Sequence, residues 1–260
     1  MNVWNLIETL YKDQTLEKEE LVFLLEHRDE ETASCLGELA RKEAQKIYGN
    51  KVFPRGLIEF TNYCKNNCYY CGIQASNRNI SRYRLSQEQI LSACQNGYDL
   101  GYRSFVLQGG EDPYFSDERM VSVVEAIHES FPDCAITLSL GERSLESYQK
   151  LHAAGGRRYL LRHEAISPQL YGKLHPEKMS LRHRIQCLYD LRTAGFQVGT
   201  GFMVGAPFQT LENLADDLLF IQKLHPQMTG IGPFVPHHDT RFRDFAAGTA
   251  ELTIFLISIL

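Results

Sequence analysis

Seven cysteines occur in the chain, Cys35, Cys64, Cys68, Cys71, Cys94, Cys134 and Cys187, and three of them fall within eight residues. The segment from Phe60 to Gly72 spaces Cys64, Cys68 and Cys71 as C-x3-C-x2-C. Thiolates are the usual ligands of iron–sulfur clusters. Three on one loop can hold three irons of a cubane and leave the fourth iron free to take a small molecule. A structural zinc site wants four ligands, often as two separated pairs, and Cys94, Cys134 and Cys187 are isolated. Buried thiols without a ligand are the remaining alternative. The odd count and the lack of a signal-like start argue against a disulfide framework.

Other groups repeat the theme of polar chemistry at the end of an apolar run. Gly109, Gly110 and Glu111 follow Ser104–Gln108. A glycine pair lets backbone approach a ligand closely, although a plain strand-to-helix turn reads the same way. Arg162 and Glu164 are two apart, so both side chains can face one side of an extended segment. They would serve a ligand or form a buried ion pair. By themselves Arg184 reads as a solvated helix charge and Met203 as a core methionine. His237, His238 and Asp239 suit a metal less well than a polar loop. The glycines from Gly199 to Gly205 have the wrong spacing for a dinucleotide fingerprint.

These groups need a frame. Strand candidates are Gly56–Thr61, Ser104–Gln108, Ala135–Leu140, Arg158–Arg162, Val198–Val204 and Gly230–Phe234. Helical patterns separate them. Ser86 to Gln89 forms a capping box, and Leu211, Leu214, Leu218 and Ile221 share one helix face. Gly101, Gly155 and Gly195 each close a helix just before a strand. Alternation of this kind predicts an α/β fold with a parallel sheet, six βα units of a TIM-like barrel. Residues 1–50 read as an N-terminal helical segment, with Leu21, Leu24 and Leu25 as its stripe, and 51–260 as the barrel. A closed eight-stranded barrel needs two more units, so the pattern reads either as a six-unit open barrel or, as the abrupt apolar end favours, as a barrel truncated at its C-terminal end.

Bulk properties exclude some partners. The formal net charge of −5 gives no basic surplus for nucleic acid. The longest apolar run, Leu252 to Leu260, is too short to span a bilayer. With no signal-like start, a cytoplasmic protein is expected.

The cysteine spacing after the first strand of a βα barrel resembles the radical S-adenosylmethionine (SAM) superfamily. That resemblance implies a [4Fe-4S] cluster on Cys64, Cys68 and Cys71, with the open iron chelated by the amino and carboxylate groups of SAM. One electron then splits a carbon–sulfur bond to give a 5′-deoxyadenosyl radical. It also implies that Tyr70 lies near the adenine, where the alternative is a packing aromatic, and that Gly109, Gly110 and Glu111 contact the SAM amino group. The runs Val106–Tyr114, Thr137–Glu142, Arg158–Glu164, Phe202–Gly205 and Gly230–His237 resemble a narrower branch. Its members, of the HydE type, mature the active-site cluster of [FeFe]-hydrogenase; biotin synthase and methylornithine synthase are near relatives. From that branch, Glu164 and Arg184 are expected to bind SAM and Met203 to pack the adenosine. Arg162 is expected to hold a substrate carboxylate, with Thr137 beside it, which suits the bidentate guanidinium. The implied substrate is small and sulfur-containing or cysteine-derived. The implied partners are a reductant such as a flavodoxin or ferredoxin and other hydrogenase maturation proteins. A biotin-synthase-like or methylornithine-synthase-like enzyme and a non-catalytic cluster-binding fragment are the rival expectations.

Overall fold

The computed structural model describes residues 1–260. Six strands form one parallel sheet in the order β1-β2-β3-β4-β5-β7: β1 (Gly56–Thr61), β2 (Ser104–Gly109), β3 (Ala135–Ser139), β4 (Gly156–Leu160), β5 (Gln197–Thr200) and β7 (Met228–Thr229). Helices α4 (Gln87–Asp99), α5 (Asp117–Ser130), α6 (Leu145–Ala153), α7 (Pro168–Leu174), α8 (Leu181–Thr193) and α9 (Leu211–Leu224) fill the crossovers. This is the expected α/β arrangement, and β1 and β7 are the two free edges of the sheet.

Register explains which face is which. One row across the sheet is Ile58, Leu107, Leu138, Tyr159 and Val198. All five are buried, and they belong to an apolar core of 29 residues between sheet and helices. The adjacent row is Leu57, Val106, Thr137, Arg158 and Gln197. Side chains alternate across a strand, so this second row faces the opposite side, where Leu57 is 55% exposed. Helix ends follow local chemistry. Ser86 caps α4 in a reciprocal box with Gln89. Gly155 and Gly195 take φ of 118° and 96° at the turns into β4 and β5, a region that favours glycine.

Two expected strands are interrupted. Val198–Val204 becomes β5 and a separate β6 (Met203–Val204); the last expected strand, Gly230–Phe234, keeps only β8 (Gly232–Pro233), which pairs with β6, while β7 precedes it. Backbone crowding is the reason. A Cβ at Gly201 would stand 2.0 Å from the Gly230 carbonyl oxygen, so the two chains touch where the ladder breaks.

The N-terminal segment is three helices, α1 (Val3–Asp13), α2 (Lys18–Glu26) and α3 (Glu30–Tyr48). Leu21, Leu24 and Leu25 pack with Phe202, Leu214, Leu218 and Ile221, and with Phe255 and Leu256 of α10 (Ala250–Ile259). A cavity of about 840 Å³ lies in this region, between α1, α3, α9 and α10. Its walls are largely apolar, and none of the cysteine-loop residues lines it.

Candidate cluster and cofactor site

Cys64, Cys68 and Cys71 lie on the long connection between β1 and α4, at the C-terminal mouth of the sheet. A structureless loop of this length in a compact domain needs ties, and the sequence supplies them. The Arg82 guanidinium donates to the carbonyls of Asn62, Ile73, Gln74 and Asn77, drawing the loop around itself. Arg84 grips Asp112 with two bonds of 2.7 and 2.9 Å, and Thr61 donates to the same carboxylate at 2.9 Å. Burial works to raise the Asp112 pKa, but the Arg84 pair and the other donors prevail and hold it below the usual range. The base of the loop is thereby locked to the end of β2.

Cys71 and Cys64 both act electrostatically to raise Cys68, and Cys64 acts likewise on Cys71. The three thiols are not, however, gathered so tightly that all three sulfurs lie within 4.8 Å of one another. Sulfurs on a single tetrahedral zinc would sit about 3.8 Å apart, from Zn–S bonds of about 2.3 Å. Burial pushes the Cys68 thiol up to about 12, with the neighbouring Cys71 adding to it, and burial also raises Cys71. Thiols in that state would need a bound metal cation to release their protons.

Other expected residues converge on the same mouth. Gly110 lies so close to the loop that a Cβ there would be 2.2 Å from the Tyr63 carbonyl oxygen and 2.7 Å from the Cys64 Cβ. The Glu111 carboxylate lies over Gly141, accepts from the Glu142 N–H at 3.2 Å and meets the Lys65 ammonium at 3.2 Å. Gly109 packs against Thr61 and Phe60, and so serves the strand junction. Arg184 is only 7% exposed, so it is no solvated helix charge. Its Nε stands 2.8 Å from Glu142 Oε1. Arg184 also acts electrostatically on Cys68, Tyr70 and Glu164, which places all four in one field.

Glu164 and Arg162 lie beyond the end of β4, which stops at Leu160, rather than on the strand. Glu164 adopts φ of 66°, a conformation that costs about 1–3 kcal/mol for a residue with a Cβ. Its Oε2 is buried with no hydrogen-bond partner. Burial raises its pKa, partly offset by Arg162 and Arg184. Arg162 is half-buried and forms no ion pair with Glu164 within 4.0 Å; its guanidinium lies over Gly230 and Gly232. Thr137, in the inward row, also keeps a buried hydroxyl without a partner.

Tyr70 and Met203 meet in an apolar cluster with Tyr171, Phe234 and Phe242. The Tyr70 hydroxyl is 3.1 Å from His175 Nε2, and His175 Nδ1 is 3.0 Å from the Tyr171 carbonyl oxygen. A carbonyl only accepts, so Nδ1 carries the proton and Nε2 accepts from Tyr70. Burial pushes the His175 pKa down to about 4, which keeps this arrangement neutral. His237 and His238 stack, the His237 ring covers Gly72, and Asn79 donates to Asp239 at 2.8 Å. His237 and Asp239 fasten the loop after β8 to the cysteine loop, and His238 stays exposed beside them.

A model of the Radical SAM superfamily matches residues 58–221. The chain belongs to the radical SAM superfamily. Among individual relatives of this radical SAM protein, the [FeFe] hydrogenase maturase subunit HydE of Thermotoga maritima is 41% identical over 86% of the chain. The chain spans 64% of that relative's length. A 3-methylornithine synthase of Methanosarcina acetivorans is 28% identical over 97% of the chain and 72% of its own length. The crystal structure of methylornithine synthase (PylB) superposes with a TM-score of 0.85 at 28% identity, covering 92% of this chain and 71% of that one. The hydrogenase maturase HydG gives the same TM-score at 22% identity over 99% of this chain and 61% of its own, a likeness of fold.

Sequence reasoning did not single out several residues that shape this mouth. Glu142 was visible only inside a motif run, and nothing local marks it as the partner of Arg184. His175 and Asp112 act through partners distant in sequence, and Arg82 through carbonyls of its own loop.

Proposed function

We propose that this chain is a radical SAM enzyme that acts in [FeFe]-hydrogenase maturation. The observation that carries the reading is a three-thiol loop at the sheet mouth, beside the unpartnered Glu164 carboxylate and a half-buried Arg162. Buried polar groups normally have partners, so these are receptors for a ligand. Cys64, Cys68 and Cys71 would hold a [4Fe-4S] cluster, and Tyr70, Gly109, Gly110, Glu111, Glu164, Arg184 and Met203 would hold SAM. When bound, the pair supplies reductive cleavage of SAM to a 5′-deoxyadenosyl radical.

The chain's own residues would do the rest. Gly110 lets the β2 end approach Cys64, so the cofactor sites adjoin. Glu164 accepts donor groups of the ligand, while Arg184 and Glu142 neutralise each other beside it. Tyr70 and Met203 give the nucleoside an apolar surface and exclude water. Arg162 would bind a carboxylate, with Thr137 as a neighbouring hydroxyl, on a small sulfur-containing or cysteine-derived substrate. Likeness to the Thermotoga maritima maturase subunit supports the maturation role. A flavodoxin or ferredoxin would deliver the electron, and other hydrogenase maturation proteins would receive the product.

The test is anaerobic. After reconstitution with iron and sulfide, a strong reductant and SAM are added and 5′-deoxyadenosine is measured, with Cys68→Ala as control. Formation by the parent alone is the expected result. A cubane spectrum without 5′-deoxyadenosine would leave only a cluster carrier, and product formed from lysine or dethiobiotin would sink the maturation role.

A further inference from the structure

Asp217 is fully buried near the middle of α9, among Leu214, Leu218 and Ile221, where a carboxylate is costly unless it is used. Asp216 beside it faces Lys18 at 2.6 Å and is partly exposed. Asp217 turns inward to the segment after β4. Its Oδ1 accepts from the Ile166 N–H at 2.7 Å and stands 3.2 Å from His163 Nε2. His163, itself fully buried, has Nδ1 2.9 Å from the Thr200 hydroxyl, and its ring lies edge-on to Phe220. The Thr200 hydroxyl donates to the Leu161 carbonyl at 3.1 Å, so it accepts from His163 Nδ1–H. Nε2 lies against Asp217 Oδ1 without a well-aligned hydrogen bond, and Asp217 Oδ2 has no partner.

The two residues that Asp217 holds flank Glu164, one position before it and two after it. Glu164 is the residue in the left-handed region, and its own N–H reaches the Gly201 carbonyl at 3.1 Å. A strained backbone persists only where its surroundings over-determine it. We propose that Asp217 is a positioning residue: acting through His163 and Ile166, it holds Glu164 in the conformation that turns its unpartnered carboxylate oxygen toward the ligand. The inference deepens the reading of Glu164 as a SAM contact and rests on it. Arg162, the neighbour of His163 on the other side, is held by the same fastening.

The experiment measures the SAM dissociation constant of the reconstituted, unreduced protein together with iron content and cluster absorbance. Asp217→Ala weakens SAM binding at least about tenfold while iron content stays at the parent level. Asp217→Asn, whose Oδ1 still accepts from the Ile166 N–H in the same place beside His163 Nε2, binds SAM within about twofold of the parent. Adding Asp217→Ala to Glu164→Ala produces no further loss, because the two act as one unit. Parent-like SAM binding by Asp217→Ala, an Asn variant as weak as the Ala variant, or full additivity with Glu164→Ala would each overturn the proposal. If Asp217→Ala does not fold, Thr200→Val removes the other support of the same imidazole and must show the same non-additivity. A Glu164→Ala variant that binds SAM normally would instead refute the reading of Glu164 itself.

Discussion

The two faces of the sheet follow opposite rules. On the helix-facing side, Ile58, Leu107, Leu138, Tyr159 and Val198 form an unbroken buried row within the large apolar core. On the other side and at the mouth, Thr137, Glu142, Glu164, Tyr171 and Arg184 carry buried polar atoms lacking well-aligned hydrogen bonds. Arg184 and Glu142 do form an ion pair at 2.8 Å. The short separation shows that the charges compensate, while the poor alignment leaves capacity for a further partner. The difference separates an apolar row that needs no ligand from the polar face proposed to take one.

The sharpest way to break the comparison is Arg184→Leu. It strips the partner from a buried Glu142, and breaking such a pair destabilises by roughly 3–5 kcal/mol. Denaturant unfolding of the cluster-free protein reads this loss, and SAM binding should fall with it. Leu138→Ala probes the other face. A cavity there should lower stability by about 2–5 kcal/mol, yet iron content and SAM affinity of the folded fraction should match the parent. Lost SAM binding in Leu138→Ala would show that the faces are not separable.

A subtler probe is pH. His175 in the folded protein titrates at about 4, below its ordinary 6.5. The unfolded chain therefore binds the proton first as pH falls. The stability linked to His175 is complete above about 6.5 and is lost as pH drops through 4, a change of roughly 3 kcal/mol across that window. His175→Gln should lack this component, which paired melts between those pH values would measure. The smallest effect is expected for Tyr70→Phe. It removes one hydrogen bond to His175 and should cost about 1 kcal/mol, with SAM affinity reduced because the ring is less firmly placed.

The parallel sheet, its strand positions and the cysteine loop were legible from local pattern. Alternation of apolar residues fixes which strand residues are buried, and glycines such as Gly155 mark helix ends wherever they are read. The breaks in β5 and β7 were not legible, because they arise from contact between Gly201 and Gly230, residues far apart along the chain. Nor was the position of Glu164. A strand of alternating side chains predicts two inward groups, whereas the chain leaves the strand after Leu160 and presents Glu164 from a left-handed turn.

The sequence by itself determined the identity and spacing of the thiols, the α/β order and the polar ends of the strands, since these depend on residues near one another in the chain. Only the tertiary structure decided that Arg184 is buried against Glu142, that His175 orients Tyr70, and that Asp217 reaches across from α9 to His163 and Ile166. Each of these is a pairing of charge or hydrogen bond across tens of residues, and such pairings exist only once helices and strands have packed.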